Sequence, residues 1–269
     1  MFDVGIAEGH AVTFSAGLAK AGMLPYCNIY STFLQRAYDN IVHDVALQNL
    51  HVVFCIDRAG IVGNDGATHH GLLDLTYLRP IPNMQICAPR TGEDLKQMLE
   101  LAETLDGPVA IRYPRGRTPM EELKIEDRRL KIEYGKGVKL RDGKDFAVLT
   151  LGSIGNAMEE AIEMANGRMA KGECFAHYDM RWLKPLDEDL LHEVGKKFKT
   201  IVTAEDGLIA GGFGSAVLEW MSEHGYTPRV IRLGVNDQFV EHGSTKELYH
   251  MLKLDKEGLC ESLLRVPVK

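Results

Sequence analysis

No apolar run in this chain reaches the ~18 residues that a membrane span requires, and no basic stretch followed by an apolar core opens it. Neither a membrane anchor nor an export signal is therefore expected. Cysteine is sparse and scattered: Cys27, Cys55, Cys87, Cys174 and Cys260 include no C-x-x-C pair. That spacing argues against a zinc ribbon or a disulfide framework and suits reduced, buried thiols in a cytoplasmic protein. Positive charge is also short, with 31 Lys and Arg against 38 Asp and Glu and a formal net charge of -7. A nucleic-acid binder, which needs a concentrated basic surface, is not expected. The glycine-rich string Gly211-Gly-Phe-Gly214 lacks both the Lys-Ser/Thr of a P-loop and the full G-x-G-x-x-G spacing, so it does not read as a phosphate loop.

What is present is a regular alternation of short apolar runs with helical periods over 269 residues, enough for two domains. Strands are expected at residues 2–7, 26–30, 51–56, 84–88 and 109–113, with helices at 8–21, 32–49, 72–78 and 92–104. Residues 115–145 interrupt this rhythm with Pro119 and clustered charge, leaving room for a short strand. Strands at 147–151, 174–179, 200–204 and 230–233 follow, with helices at 156–169, 188–197 and 214–224 and from 245 onward. The expected fold class is α/β, two domains, each a mostly parallel sheet flanked by helices. The boundaries are 1–118 for the first domain, 119–144 for the connection and 145–269 for the second.

Three stretches concentrate chemistry. Residues 3–12 set Glu8 where an expected strand gives way to a helix, the edge at which open α/β sheets keep ligands. A carboxylate at a helix N-terminus is by itself more often a partner of the helix dipole. Residues 30–39 carry Tyr30, Phe33 and Arg36, with Arg36 three residues after Phe33 and so on its helical face. Residues 57–71 are the densest polar segment, holding Asp57, Arg58, Asn64, Asp65, Thr68, His69 and His70 among Gly60, Gly63, Gly66 and Gly71. Glycines let a backbone approach a ligand closely. His69 and His70 are adjacent rather than four apart, which disfavours a metal site. His10 points to a different helical face from Glu8, and neither it nor His70 is assigned a role. Arg58 and Arg115 each follow an expected strand, so both should project at the same sheet edge.

These three stretches, together with Arg112-Tyr-Pro-Arg-Gly116, Ala210-Gly-Gly-Phe-Gly-Ser215 and Glu241-His-Gly243, resemble the 1-deoxy-D-xylulose-5-phosphate synthase family, thiamine-diphosphate enzymes related to transketolase. The resemblance implies that Glu8 serves N1′ of the cofactor's aminopyrimidine and that the pyrimidine stacks on Phe33, with Tyr30 and Arg36 beside it. Asp65 and His69 would lie near substrate, and Arg58 and Arg115 would hold the phosphate of glyceraldehyde 3-phosphate, the partner of pyruvate. The family anchors Mg2+ and the diphosphate through a Gly-Asp-Gly motif in an earlier domain. No Gly-Asp-Gly occurs in this sequence; Asn64-Asp-Gly66 and Glu205-Asp-Gly207 both lack the first glycine. The resemblance thus implies half of a cofactor site, inactive without the missing N-terminal diphosphate-binding domain or subunit, in an assembly expected to include a homodimer. The β subunit of a 2-oxoacid dehydrogenase, the C-terminal half of a split transketolase and a non-catalytic association module are the competing readings.

Overall fold

Two five-stranded sheets carry the chain in the computed structural model, which describes residues 1–116, 131–168 and 174–266. The first half runs α1 (Glu8–Lys20), β1 (Tyr26–Tyr30), α2 (Ser31–Leu34), a 3-10 turn (Gln35–Ala37), α3 (Tyr38–Asn40), a π-helical turn (Ile41–Ala46), β2 (Val53–Asp57), α4 (Asp74–Leu78), β3 (Gln85–Cys87), α5 (Gly92–Ala102) and β4 (Val109–Arg112). The second half runs β5 (Val138–Arg141), β6 (Phe146–Thr150), α6 (Ile154–Asn166), β7 (Phe175–Asp179), β8 (Trp182–Lys184), α7 (Glu188–Lys197), β9 (Thr200–Leu208), α8 (Phe213–Glu223), β10 (Arg229–Val235), α9 (Thr245–Met251) and α10 (Lys256–Leu264). The sheet orders are β1-β2-β4-β3-β8 and β10-β9-β6-β7-β5. All pairings are parallel except β3 with β8 and β5 with β7. Strands β4, β6 and β7 are buried along their whole length, as strands covered by helices on both faces must be. Several helices begin where a side chain satisfies the free N–H groups of the first turn. Thr91 with Asp94 and Ser244 with Glu247 form capping boxes, and Asp187 and Asp255 cap α7 and α10.

Two departures from the sequence expectation bear on function. Residues 2–7 are not a strand. Gly5 adopts φ +67, its N–H is held by Asp3 Oδ1 at 2.9 Å, and Ile6 is exposed. A left-handed glycine closes a local turn, and an extended segment without a neighbouring strand leaves its backbone unpaired. Glu8 therefore leads out of a turn into α1. The second departure is β8, which comes from the later sequence yet completes the first sheet, pairing Ile86 with Lys184 and Cys87 with Trp182. β5 falls inside the stretch read as a connection. Residues 119–130 of that connection, and the expected end of a helix at 169, lie outside the described residues.

Ion pairs join the two halves, one set of them fully buried. Arg112 Nε donates to Asp74 Oδ2 at 2.9 Å and its Nη1 to Asp206 of β9 at 2.5 Å, all three side chains at most 3% exposed. Arg90 Nη1 donates to Glu159 of α6 at 2.9 Å, and Asn156 Nδ2 donates to the Arg90 carbonyl at 3.0 Å. Beside them His177 is fully buried on β7. Burial, aided by Arg90 and Arg141, pushes its pKa down to about 3. A depressed histidine contributes stability above its unfolded value near 6.5 that is lost as pH falls toward 3. Burial pushes Asp179 up to about 6, and burial raises Glu205 to about 7 against opposing hydrogen bonds from Gly214 and Phe213. Both carboxyls act in the opposite sense, so the His177 effect is read as a difference. Between pH 7 and 4.5, wild type is expected to lose about 2 kcal/mol relative to His177→Gln in urea unfolding. Parallel pH curves for the two proteins would contradict this.

Candidate active site

The N-terminus of α1 holds Glu8, whose side chain is 13% exposed. Its position in the first turn sets the carboxylate against the positive end of the helix. Arg36 Nη1 donates to Glu8 Oε1 at 3.1 Å, while Oε2 has no hydrogen-bond partner among the described residues. Arg36 lies in the 3-10 turn, where residues three apart eclipse, and its guanidinium stands 4.8 Å from the centroid of the Phe33 ring. The face shared by Phe33 and Arg36 is thus produced by a tightened turn within an interrupted helical run.

Phe33 in turn gathers its neighbours. Tyr30, the last residue of β1, stacks on it with centroids 5.8 Å apart, and His69 meets it edge-on at 5.2 Å. Arg58 lies 3.6 Å above the Tyr30 ring and is paired with Asp57, whose own pKa is raised by burial against the opposing charge of Arg58. Arg58 has φ +57, a left-handed backbone that a side-chain-bearing residue seldom adopts. It turns the chain sharply off β2. Gly71 explains how the returning loop can close on this turn: a Cβ there would sit 2.3 Å from the Arg58 carbonyl oxygen and 2.6 Å from Ser31. His69 Nδ1 is 2.8 Å from Thr68 Oγ1, and Thr32 Oγ1 donates to the Thr68 carbonyl at 3.1 Å, tying the loop to α2.

Glu8, Arg36, Phe33, Tyr30, Arg58 and His69 therefore form one connected run of contacts. Asp65 and Arg115 form a separate ion pair, Nη1 to Oδ2 at 2.7 Å, both half exposed. Arg115 follows β4, the neighbour of β2 in the sheet, so it and Arg58 leave the same carboxyl edge. His10 is exposed and stacks on Phe14 at 5.9 Å. Thr32 is a member that sequence reasoning missed, because a threonine bonded to a distant carbonyl carries no periodic signal. At the far helix, Phe213 N and Gly214 N both donate to the buried carboxylate of Glu205 at 2.8 Å. The glycine-rich turn at the start of α8 is thus already occupied by a side-chain carboxyl of the chain itself. Among the described residues no group of three His, Cys, Asp or Glu is arranged to hold a metal, and no helix is long and apolar enough to cross a membrane.

Comparison with known proteins places this geometry in context. Residues 1–121 match the transketolase pyrimidine binding domain and residues 135–259 the transketolase C-terminal domain. The chain is 58% identical to the 1-deoxy-D-xylulose-5-phosphate synthase of Bacteroides fragilis over 267 residues, covering 98% of this chain and 40% of that protein. It is 58% identical to the same-named protein of Parabacteroides distasonis over 263 residues, covering 97% and 41%. The chain thus spans about 40% of the length of the curated relatives it matches. Among solved structures, a split-gene transketolase described as an inactive β4 tetramer superposes with a TM-score of 0.85 at 32% identity, covering 97% of this chain and 82% of that one. The transketolase of Campylobacter jejuni, at 18% identity and a TM-score of 0.76, shares the fold.

Proposed function

The chain belongs to the transketolase family, and on that footing we propose that it forms the pyrimidine-binding part (1–118) and C-terminal part (145–269) of a 1-deoxy-D-xylulose-5-phosphate synthase. The complete enzyme condenses pyruvate with glyceraldehyde 3-phosphate and releases CO2. The observation that carries this reading is the run of contacts from Glu8 through Arg36, Phe33 and Tyr30 to Arg58, with His69 on the edge of Phe33.

The residues present fit the aminopyrimidine end of thiamine diphosphate. Glu8 offers a carboxylate oxygen without a hydrogen-bond partner among the described residues, and Phe33 offers a half-buried aromatic ring. When bound, the cofactor supplies the electron sink that loss of CO2 from a 2-oxoacid requires. Glu8 holds the proton at N1′ through Oε2, while Arg36 fixes its other oxygen and with it the carboxylate plane. Phe33 receives the pyrimidine face. Arg58 and Arg115 bind the acceptor phosphate, for which the planar guanidinium provides paired donors. His69, held at Nδ1 by Thr68, exchanges a proton with substrate through Nε2, and Asp65 orients a substrate hydroxyl.

A complementary diphosphate-binding domain or subunit holds Mg2+ and the diphosphate, so this chain alone binds cofactor weakly and does not turn over. The split-gene relative, described as an inactive β4 tetramer, supports that division, and a dimeric assembly is part of the proposal. Five free cysteines, four of them buried, suit a cytoplasmic setting. Mixing the chain with a diphosphate-binding partner should give 1-deoxy-D-xylulose 5-phosphate from pyruvate and glyceraldehyde 3-phosphate. Ketose transfer instead would favour a split transketolase, the reading that the 32% identical neighbour supports. No product with either substrate set would leave an association module. In the active mixture, Arg58→Gln is expected to raise KM for glyceraldehyde 3-phosphate about 30-fold, the ~2 kcal/mol of a lost charged hydrogen bond. KM for unphosphorylated glyceraldehyde should stay unchanged, and an equal rise for both would remove Arg58 from phosphate binding.

A further inference from the structure

The loop 58–71 is gripped from the C-terminal half at three glycines that lie among the site residues Arg58, Asp65 and His69. A Cβ on Gly60 would meet Asp206 Oδ2 at 2.6 Å, one on Gly63 would meet Thr245 Oγ1 at 2.9 Å, and one on Gly66 would meet His242 Cβ at 3.1 Å. All three glycines have positive φ, from +73 to +91, so only residues without side chains allow this approach in this conformation. Such a glycine-rich segment has much backbone freedom to lose, and the close contacts alone supply few directional bonds to hold it.

Reciprocal Gly60–Gly71 backbone bonds, 2.8 Å each, close the base of the loop, and Thr32 Oγ1 ties it to α2 through the Thr68 carbonyl at 3.1 Å; His70 adds the side-chain bonds within it. Its side chain is buried within the loop, 6% exposed. Nδ1 accepts the N–H of Val62 at 3.1 Å, and Nε2 lies 3.1 Å from the carbonyl oxygen of Glu241. A backbone N–H can only donate and a carbonyl can only accept, so both bonds require a neutral ring with its proton on Nε2. One imidazole thereby cross-links residues 62 and 70 inside the Gly60–Gly71 closure and adds a bond from the loop to the C-terminal half. Inside the closure, Gly66 N bonds to the Gly63 carbonyl and His69 N to the Gly66 carbonyl, at 3.1 and 2.9 Å. Asp65 and His69 are carried on that turn.

We propose that His70 is a positioning residue, through which the C-terminal half fixes the loop that presents Asp65 and His69 to the acceptor substrate. The catalytic part of this inference rests on the proposed synthase function, but the mechanical part does not. Glu8 and Phe33 are held by other elements, and His69 touches just the edge of the Phe33 ring, so loosening the latch acts on acceptor handling far more than on cofactor activation.

Amide hydrogen exchange on the chain as it stands tests the mechanical part. His70→Leu is expected to raise exchange across residues 62–70 about tenfold and leave β2 and β4 at wild-type rates. His70→Gln, whose amide offers one acceptor and one donor, should restore most of the protection. If His70→Leu does not fold, His70→Asn, whose shorter amide reaches Val62 but not Glu241, should raise exchange in the same peptides several-fold. In the assembled enzyme, His70→Leu (or His70→Asn in its place) should lower kcat/KM for glyceraldehyde 3-phosphate about tenfold or more, with His70→Gln close to wild type and deuterium exchange at the cofactor's C2 unchanged. Unaltered exchange at 62–70, or a rise spread over both sheets, overturns the latch. A loosened loop with undiminished kcat/KM overturns its role in presenting Asp65 and His69. Loosening without any synthase turnover in wild type counts against the proposed function and leaves the latch supported.

Discussion

Glu8→Gln in the assembled enzyme is expected to slow deuterium exchange at C2 of bound thiamine diphosphate by ~10²–10⁴, the usual cost of removing one acid-base group. The amide keeps the shape of the carboxylate and can still accept from Arg36 Nη1, now 3.1 Å from Oε1. It cannot share a proton with a ring nitrogen. The fold should be preserved, because the N-terminus of α1 has no side-chain cap and Glu8 makes no other hydrogen bond among the described residues. Its loss as a helix-start carboxylate costs only ~0.3–1 kcal/mol. Cofactor affinity should change little, since stacking on Phe33 and the diphosphate anchor remain. Exchange at the wild-type rate in the Gln variant would reduce Glu8 to a dipole partner and remove the centre of the proposed function.

The second large effect is expected in stability. Arg112→Met should lower the unfolding free energy by ~3–5 kcal/mol, the range found when one member of a buried ion pair is removed. Asp74 and Asp206 are 0% and 2% exposed, and the substitution leaves their charges facing each other without a cation. Burial by itself would favour a neutral Arg112, but Asp206 and Asp74 outweigh it and hold the guanidinium firmly charged. Because Arg112 joins β4 and α4 to β9, its loss should also reduce the cooperativity between the two halves. A urea titration that shows a lower midpoint with a reduced slope would report both. Arg112→Met combined with Asp74→Asn and Asp206→Asn should recover part of the loss, since the uncompensated charges are gone. A single substitution costing under ~1 kcal/mol would place the triad with surface ion pairs.

Much of this molecule was legible locally. Periodicity located β1 at Tyr26–Tyr30 and α1 from Glu8, and helix-start residues such as Asp187 and Ser244 mark the beginnings of α7 and α9. These features depend on a residue and its near neighbours, through backbone pairing within a turn and the face that each side chain presents. The three-residue spacing likewise put Arg36 on the face of Phe33, which it meets. Tertiary structure decided the remainder. Residues 2–7 have strand-like composition, but Gly5 and Asp3 close a turn there. Trp182–Lys184 is too short to show a period, and it becomes β8 because β3 offers an open edge. The pairing of Arg112 with Asp74 and Asp206, and the two bonds of His70, join residues 8 to 171 positions apart. Composition and spacing could nominate charged and aromatic residues, but which of them are dried, paired and aimed at a common site is set by burial, and burial is a property of the packed sheets.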